Sequence, residues 1–78
     1  MTEHERRVKR NPVLGLPSVV RLQRLPRGQR KLLSELLLDI RRDALRRADE
    51  SWRKHKAPMA AYWKAVGVYA GHISRAIR

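Results

Sequence analysis

The second half of the chain has apolar residues at helical spacing. Leucine and isoleucine recur at intervals of three and four from residue 33 to residue 40, and alanines continue the row at residues 44 and 48. Further apolar residues flank the row on both sides: Leu32, Leu36, Leu38, Leu45 and Trp52. Such spacing is typical of an amphipathic helix, and neither Gly nor Pro interrupts residues 29–56. The pattern predicts a long helix at about residues 27–56.

The stretch KHKAPMAAYW, residues 54–63, predicts the end of that helix and the start of another. Its basic residues suit the carboxyl end of a helix, and Pro58 suits a first helical turn. A second helix is therefore expected at about residues 58–77. Its apolar stripe is Met59, Tyr62, Val66, Tyr69, Ile73 and Ile77. Gly67 and Gly71 lie one turn apart on another face, and two helix-weakening glycines so placed indicate either close approach of another backbone or simple tolerance of glycine.

The first 26 residues lack this periodicity. Residues 1–12 carry four basic and two acidic residues and only one apolar residue after Met1, which favours a flexible basic tail. Residues 13–19 place three apolar residues between prolines and a glycine, which favours an extended arm. The predicted fold is all-α: an antiparallel helical hairpin preceded by an extended basic N-terminal arm. Residues 13–78 would form one helical domain.

One alternative fold arises from RLQRLPRGQRKLL, residues 21–33. This stretch resembles the strand, proline and helix with which ribbon–helix–helix DNA-binding proteins begin. The resemblance implies a strand at Val20–Leu25 whose outward Arg21 and Gln23 read bases. Against it, Arg24 stands where the inward face needs an apolar residue, and no helix-ending turn occurs before His55. The preferred interpretation of this segment is an extended arm or a short helical turn before a helical hairpin, with Pro26 preceding or beginning the long helix.

Two helices have more apolar surface here than one hairpin contact can cover. A homodimer with four helices is the simplest arrangement that buries it. The residues expected at helix or subunit interfaces are Leu32, Leu36, Leu38, Leu45, Trp52, Gly67 and Gly71.

Charge is the strongest indication of function. The chain carries 19 Lys and Arg against seven acids, a net charge of +12. Most of the basic residues are Arg, which suits planar contacts with phosphate or carboxylate. We therefore expect a small accessory or regulatory protein that binds DNA or RNA through phosphate contacts. The candidate contact residues are Arg21, Arg24, Arg27, Arg30, Lys31, Arg42, Arg46 and Arg53.

The alternative function is a protein-binding inhibitor or adaptor that docks on an acidic surface through its apolar arm and helices. No nucleophile, acid–base pair or phosphate-binding loop has a recognisable spacing, so the protein is not expected to be an enzyme or to need a cofactor. The chain lacks cysteine, and His4, His55 and His72 lie far apart, so no metal site is expected. Neither a secretory signal nor a membrane span is predicted, which favours a cytoplasmic protein.

Overall fold

The computed structural model describes all 78 residues, and its regular structure is entirely helical. Four α-helices occur in the order α1 (Glu3–Arg10), α2 (Pro17–Gln23), α3 (Arg27–Arg53) and α4 (Ala57–Ile77). A short 3-10 helix at Pro12–Gly15 joins the first two. The predicted all-α class is confirmed. No helix combines the length and the apolar character needed to cross a lipid bilayer.

Helices α3 and α4 pack against each other and dominate the tertiary structure, as the predicted hairpin requires. Their bounds agree with the predicted 27–56 and 58–77 to within a few residues. Helix α3 ends in a Schellman motif, because the N–H of Lys56 donates to the carbonyl of Ser51 and that of His55 to Trp52. His55 has φ 57°, in the left-handed region where glycine is usual. Pro58 then lies in the first turn of α4.

Small residues form the contact between the two long helices. Buried residues include Ser34, Ala44 and Ala48 on α3 and Gly67 and Ser74 on α4. A Cβ added at Gly67 would lie 2.8 Å from Leu45 Cδ2 and 3.4 Å from the Arg41 carbonyl oxygen. The predicted close approach of a backbone is thus confirmed at Gly67, and that backbone belongs to α3 of the same chain, whereas an added Cβ at Gly71 meets only the side chain of Arg41, at 3.0 Å.

Two serines are hydrogen bonded within this contact. The hydroxyls of Ser34 and Ser74 lie 2.6 Å apart, and each is also within hydrogen-bond distance of the carbonyl oxygen of the other residue, at 3.2 Å from Ser34 and 3.0 Å from Ser74. With one hydrogen each, one hydroxyl donates to the other, and that second hydroxyl donates to a carbonyl oxygen. Because each hydroxyl has partners, the two polar groups are buried without loss of hydrogen bonding.

The orientation of α4 corrects the predicted apolar stripe. The stripe was predicted as an apolar surface for core and interface, and Met59, Tyr62 and Tyr69 are 45%, 57% and 59% exposed within the single chain. The helix instead turns its small residues toward α3, because glycine, alanine and serine allow the two backbones to approach. Of the stripe, only Ile77 is fully buried, at 1% exposure.

The N-terminal segment is also corrected, since it is helical where an extended arm was predicted. Pro17 begins α2, whose Val19 is 4% exposed, and this helix packs on α4. The side chains of Asn11 and Gln23 donate to the carbonyls of His72 and Ala76, each at 2.9 Å.

No strand is present at residues 20–25, so the ribbon that a ribbon–helix–helix protein needs is absent. Residues 1–12 contain the exposed helix α1, whose N-cap is Thr2. That residues 1–12 form a flexible tail is still a prediction.

Candidate functional site

Basic side chains gather at the end of the hairpin where α3 begins and α4 ends. Two shallow concavities lie there, of about 390 and 380 Å³, and they share Arg30 and Arg78. We call the basic residues that line them the basic end: Arg7, Arg27, Arg30, Lys31, Arg75 and Arg78. The only carboxylate in either lining is that of Glu35.

Arg30 connects the two helices that form the basic end. Its Nε donates to the carbonyl of Leu25 at 3.0 Å, and a terminal nitrogen donates to the carbonyl of Ile77 at 3.4 Å. A cation is favoured there because the carbonyls at a helix carboxyl end carry partial negative charge. Arg30 therefore holds the start of α3 against the end of α4 and helps to fix the positions of its neighbours.

The other cations of the basic end are largely unneutralised. The guanidinium group of Arg7 lies 3.5 Å from the Glu3 carboxylate. Arg27, Lys31, Arg75 and Arg78 form no ion pair, and no acid lies in the first turn of α3 or anywhere in residues 57–78. Like charges held close together without counter-charges raise the local potential and attract anions. This end of the molecule is therefore suited to a ligand with several negative charges.

The middle of α3 has a different electrostatic character. Residues 39–50 contain four acids and four bases, so this segment has no net charge. Arg42 pairs with Asp39 at 3.2 Å, and Arg46 pairs with Asp43 at 2.5 Å and with Glu50 at 3.1 Å. Because these partners already neutralise them, Arg42 and Arg46 are weaker candidates for phosphate contact than the sequence indicated.

Asp43 is the centre of this ion-pair network. Arg47 also reaches it, with its Nε 3.3 Å from Asp43 Oδ2. Hydrogen bonds from Arg46 and Arg47 hold the pKa of the Asp43 carboxyl below its usual range, and the hydrogen bond to Asp43 raises the pKa of Arg46. The network is exposed, so it contributes little to the free energy of unfolding. Its main effect is to screen the arginines of this segment.

The remaining predicted contact residues lie at three places. Arg27, Arg30 and Lys31 come together at the basic end. Arg21 and Arg24 lie on and just after α2, with Arg21 lining a separate concavity. Arg53 lies at the opposite end of α3, about 40 Å from Arg27 by the 1.5 Å rise per residue. The eight predicted residues therefore do not share one helix face, and no single helix presents them as one continuous positive surface.

Arg7, Arg75 and Arg78 belong to the basic end but were missed by the sequence reasoning. Residues 57–78 were interpreted as core and interface because they are mostly apolar. The available signal was the absence of any acid in that segment, with two of its three cations in the last four residues. Arg7 gave no comparable signal, because only the fold brings α1 near the end of α4.

The predicted interface residues also separate into two groups. Leu45, Gly67 and Gly71 lie in the contact between α3 and α4 of one chain. Leu32, Leu36 and Trp52 are 56%, 48% and 69% exposed, and Leu38 is half-buried. The second group is consequently available to a further surface, whereas the first is already used within the hairpin.

Comparisons with known proteins give no match: no protein-family model, no curated protein and no solved structure matches the chain. The arrangement of the side chains is therefore the basis for a proposed function.

Proposed function

We propose that the protein binds nucleic acid by contacting backbone phosphates with its basic end. The observation that carries this proposal is the group of cations at the meeting point of α3 and α4, most of which have no carboxylate partner. Guanidinium groups suit phosphate because their planar donors bond two oxygens at once. The proposed role is that of an accessory or regulatory factor.

Contacts of this kind recognise the phosphate backbone and tolerate any base sequence. Each neutralised phosphate releases counterions, so affinity falls as salt rises, with a slope of about −0.9 per contact on logarithmic axes. For five contacts, the affinity for duplex DNA should fall roughly 500-fold between 50 and 200 mM salt. A weaker dependence would mean fewer contacts than the basic end provides.

The direct test removes two unpaired arginines and compares the result with the removal of two paired ones. Arg27→Gln with Arg78→Gln should lower affinity for DNA or RNA roughly 50-fold at 100 mM salt and should reduce the salt slope by about two. The matched control, Arg42→Gln with Arg46→Gln, removes the same charge from the neutral segment and should change affinity only several-fold. Fluorescence anisotropy with labelled duplex DNA, single-stranded DNA and RNA measures all three proteins.

Two results would contradict the proposal. One is the absence of binding to every nucleic acid at 50 mM salt. The other is an equal loss of affinity in both double variants, since that would assign binding to overall charge. Circular dichroism must show unchanged helix content in each variant. Arg30 is left intact because its hydrogen bonds to Leu25 and Ile77 support the fold.

The second candidate function is docking on the acidic surface of another protein. It is favoured by Leu16, which is 52% exposed in the N-terminal segment, together with the net charge of +12. Under this alternative, a partner would stay bound after nuclease treatment and would be lost in Leu16→Ser. A complex that nuclease destroys would support the nucleic-acid proposal instead.

A further inference from the structure

One side of the hairpin is apolar along both long helices. We define the apolar face as Leu36 and Ile40 of α3 and Tyr62, Val66, Tyr69 and Ile73 of α4. Four of these residues are substantially exposed: Leu36 and Ile40 at 48% each, Tyr62 at 57% and Tyr69 at 59%. Val66 and Ile73 are partly covered.

A contact across the hairpin shows that these residues share one side. The guanidinium carbon of Arg47 lies 5.2 Å from the centre of the Trp63 ring, so those two side chains meet on the same side of the helix pair. Ile40 is two turns before Arg47 on α3, and Val66 is one turn after Trp63 on α4. The Tyr62 ring itself packs on Trp63, with centroids 5.0 Å apart.

The shape of the molecule explains why this face is uncovered. The extents are 43 × 31 × 15 Å, so the molecule is a thin plate. Helix α4 packs on both α3 and α2, whereas α2 hardly contacts α3, so these three helices lie side by side in one layer. Stable domains usually have two or more layers. One layer cannot bury the broad apolar sector of α3 against α4 alone.

The accessible surface of the whole chain is large for its mass. The chain has an accessible surface of 6100 Å², whereas a compact monomer of its 9.2 kDa mass would have about 4900 Å². The excess of roughly 1200 Å² is comparable with the ~800 Å² that each partner buries in a standard protein interface. A partner that covers one face would therefore bring the exposed area of the whole chain close to that of a compact protein.

We infer that the apolar face binds the same face of a second copy of this chain. A two-fold axis would stack the two hairpins as two layers, so that each copy covers the other. The charge distribution favours this occupant over a polyanion. This side of the hairpin has no net charge, because Asp43 and Arg47, which continue the row of Leu36 and Ile40 along α3, have opposite charges and are hydrogen bonded to each other. Arg47 also stacks on Trp63. The basic end lies at the open end of the hairpin, opposite the turn, and is outside the apolar face.

The test measures the mass of nuclease-treated protein by sedimentation equilibrium in 500 mM salt, from 1 to 100 µM. High salt suppresses bridging by nucleic acid, but it does not weaken an apolar contact. The wild-type protein should sediment as a dimer. Ile40→Glu and Tyr69→Glu should each sediment as monomers, with at least a tenfold weaker association, because each places a charge inside the contact.

The matched control is Val68→Glu, which makes a similar change at a residue that is 37% exposed on α4 but outside the apolar face. It should remain a dimer. Val68 and Tyr69 are adjacent in sequence, so a general effect of negative charge on α4 would act on both. Circular dichroism distinguishes loss of the dimer from loss of the fold.

Several outcomes would overturn the inference. They are a monomeric wild-type protein at 100 µM, a dimer that persists in both Ile40→Glu and Tyr69→Glu, and equal disruption by Val68→Glu. Binding of the wild-type monomer to anionic vesicles would instead assign the face to a membrane surface. The double variant Arg27→Gln with Arg78→Gln should still dimerise, so failure of the phosphate-binding proposal and failure of this one give separate results.

Discussion

At the scale of single residues, side-chain size determines how closely α3 and α4 approach. Gly67 lies where the two backbones are close, with Leu45 and the Arg41 carbonyl against it. Gly28, near the start of α3, has nothing within 4 Å of an added Cβ. The two glycines therefore have different roles, although both lie in helices.

Substitution of each glycine by alanine should have opposite effects on the free energy of unfolding. Gly28→Ala should stabilise the protein by about 0.5 kcal/mol, because alanine is the better helix former and no atom is displaced. Gly67→Ala gains the same helix propensity but forces Leu45 aside, and overpacking should leave it about 1 kcal/mol less stable. Urea denaturation followed by circular dichroism measures both. A stabilised Gly67→Ala would show that the helices can separate freely.

Residue size also explains why the fold buries so few large side chains. The largest fully buried residues are Ile77 and Ser74. Ser74 is retained in the contact because its hydroxyl bonds both the Ser34 hydroxyl and the Ser34 carbonyl. A close helix pair made in this way gains from dispersion contacts between backbones, and it leaves the leucines and tyrosines at its margins.

At the scale of elements, the end of α3 fixes the geometry of the hairpin. The chain reverses over Lys54, His55 and Lys56, and His55 adopts the left-handed conformation. A side chain with a Cβ is disfavoured there by roughly 1–2 kcal/mol relative to the right-handed region. Histidine is therefore a less favourable residue than glycine for the backbone conformation at position 55.

His55→Gly should consequently stabilise the protein by about 0.5–1 kcal/mol, because glycine adopts this conformation without steric cost. The control is Lys54→Gly, next to it, where φ is −89° and glycine offers no steric gain. That variant should be destabilised by a similar amount through the added freedom of the unfolded chain. Thermal unfolding at fixed protein concentration compares the two. A His55→Gly variant that is less stable than the wild-type protein would contradict the left-handed conformation of residue 55.

At the scale of the whole molecule, a single layer of helices links stability to assembly. If two copies cover each other's apolar face, unfolding includes dissociation. The melting temperature should then rise with protein concentration, by several degrees for each tenfold increase. Ile40→Glu should melt at a lower temperature that does not depend on concentration. Differential scanning calorimetry between 10 µM and 1 mM measures this, and a concentration-independent wild-type melt would contradict the dimer.

The distribution of charge is a second property of the whole molecule. Its cations are not spread evenly: the middle of α3 is balanced by its own acids, and the excess lies toward the ends of the hairpin. The ion pairs within α3 join residues three or four apart, so they could be predicted from the sequence. The collection of Arg7, Arg75 and Arg78 beside Arg27 was not visible, because these residues are brought together only by folding.

The sequence by itself determined the helical class, both long helices, the turn between them and the close approach at Gly67. All of these depend on local spacing, on proline and glycine geometry, or on charges within one element. Only the tertiary structure decided that α4 packs against α3 through its small residues and leaves its tyrosines exposed. Periodicity gives the apolar side of a helix, but the contact between α3 and α4 formed through small residues, which allow closer backbone packing than tyrosine or leucine.

The N-terminal segment shows the same division. Its prolines and glycine favoured an extended arm, yet residues 17–23 became a helix because Val19 could be buried against α4. Tertiary contacts of this kind outweigh weak local preferences, and no single stretch of sequence contains them. The position of the basic end is decided in the same way, because it requires α1, α3 and α4 to meet.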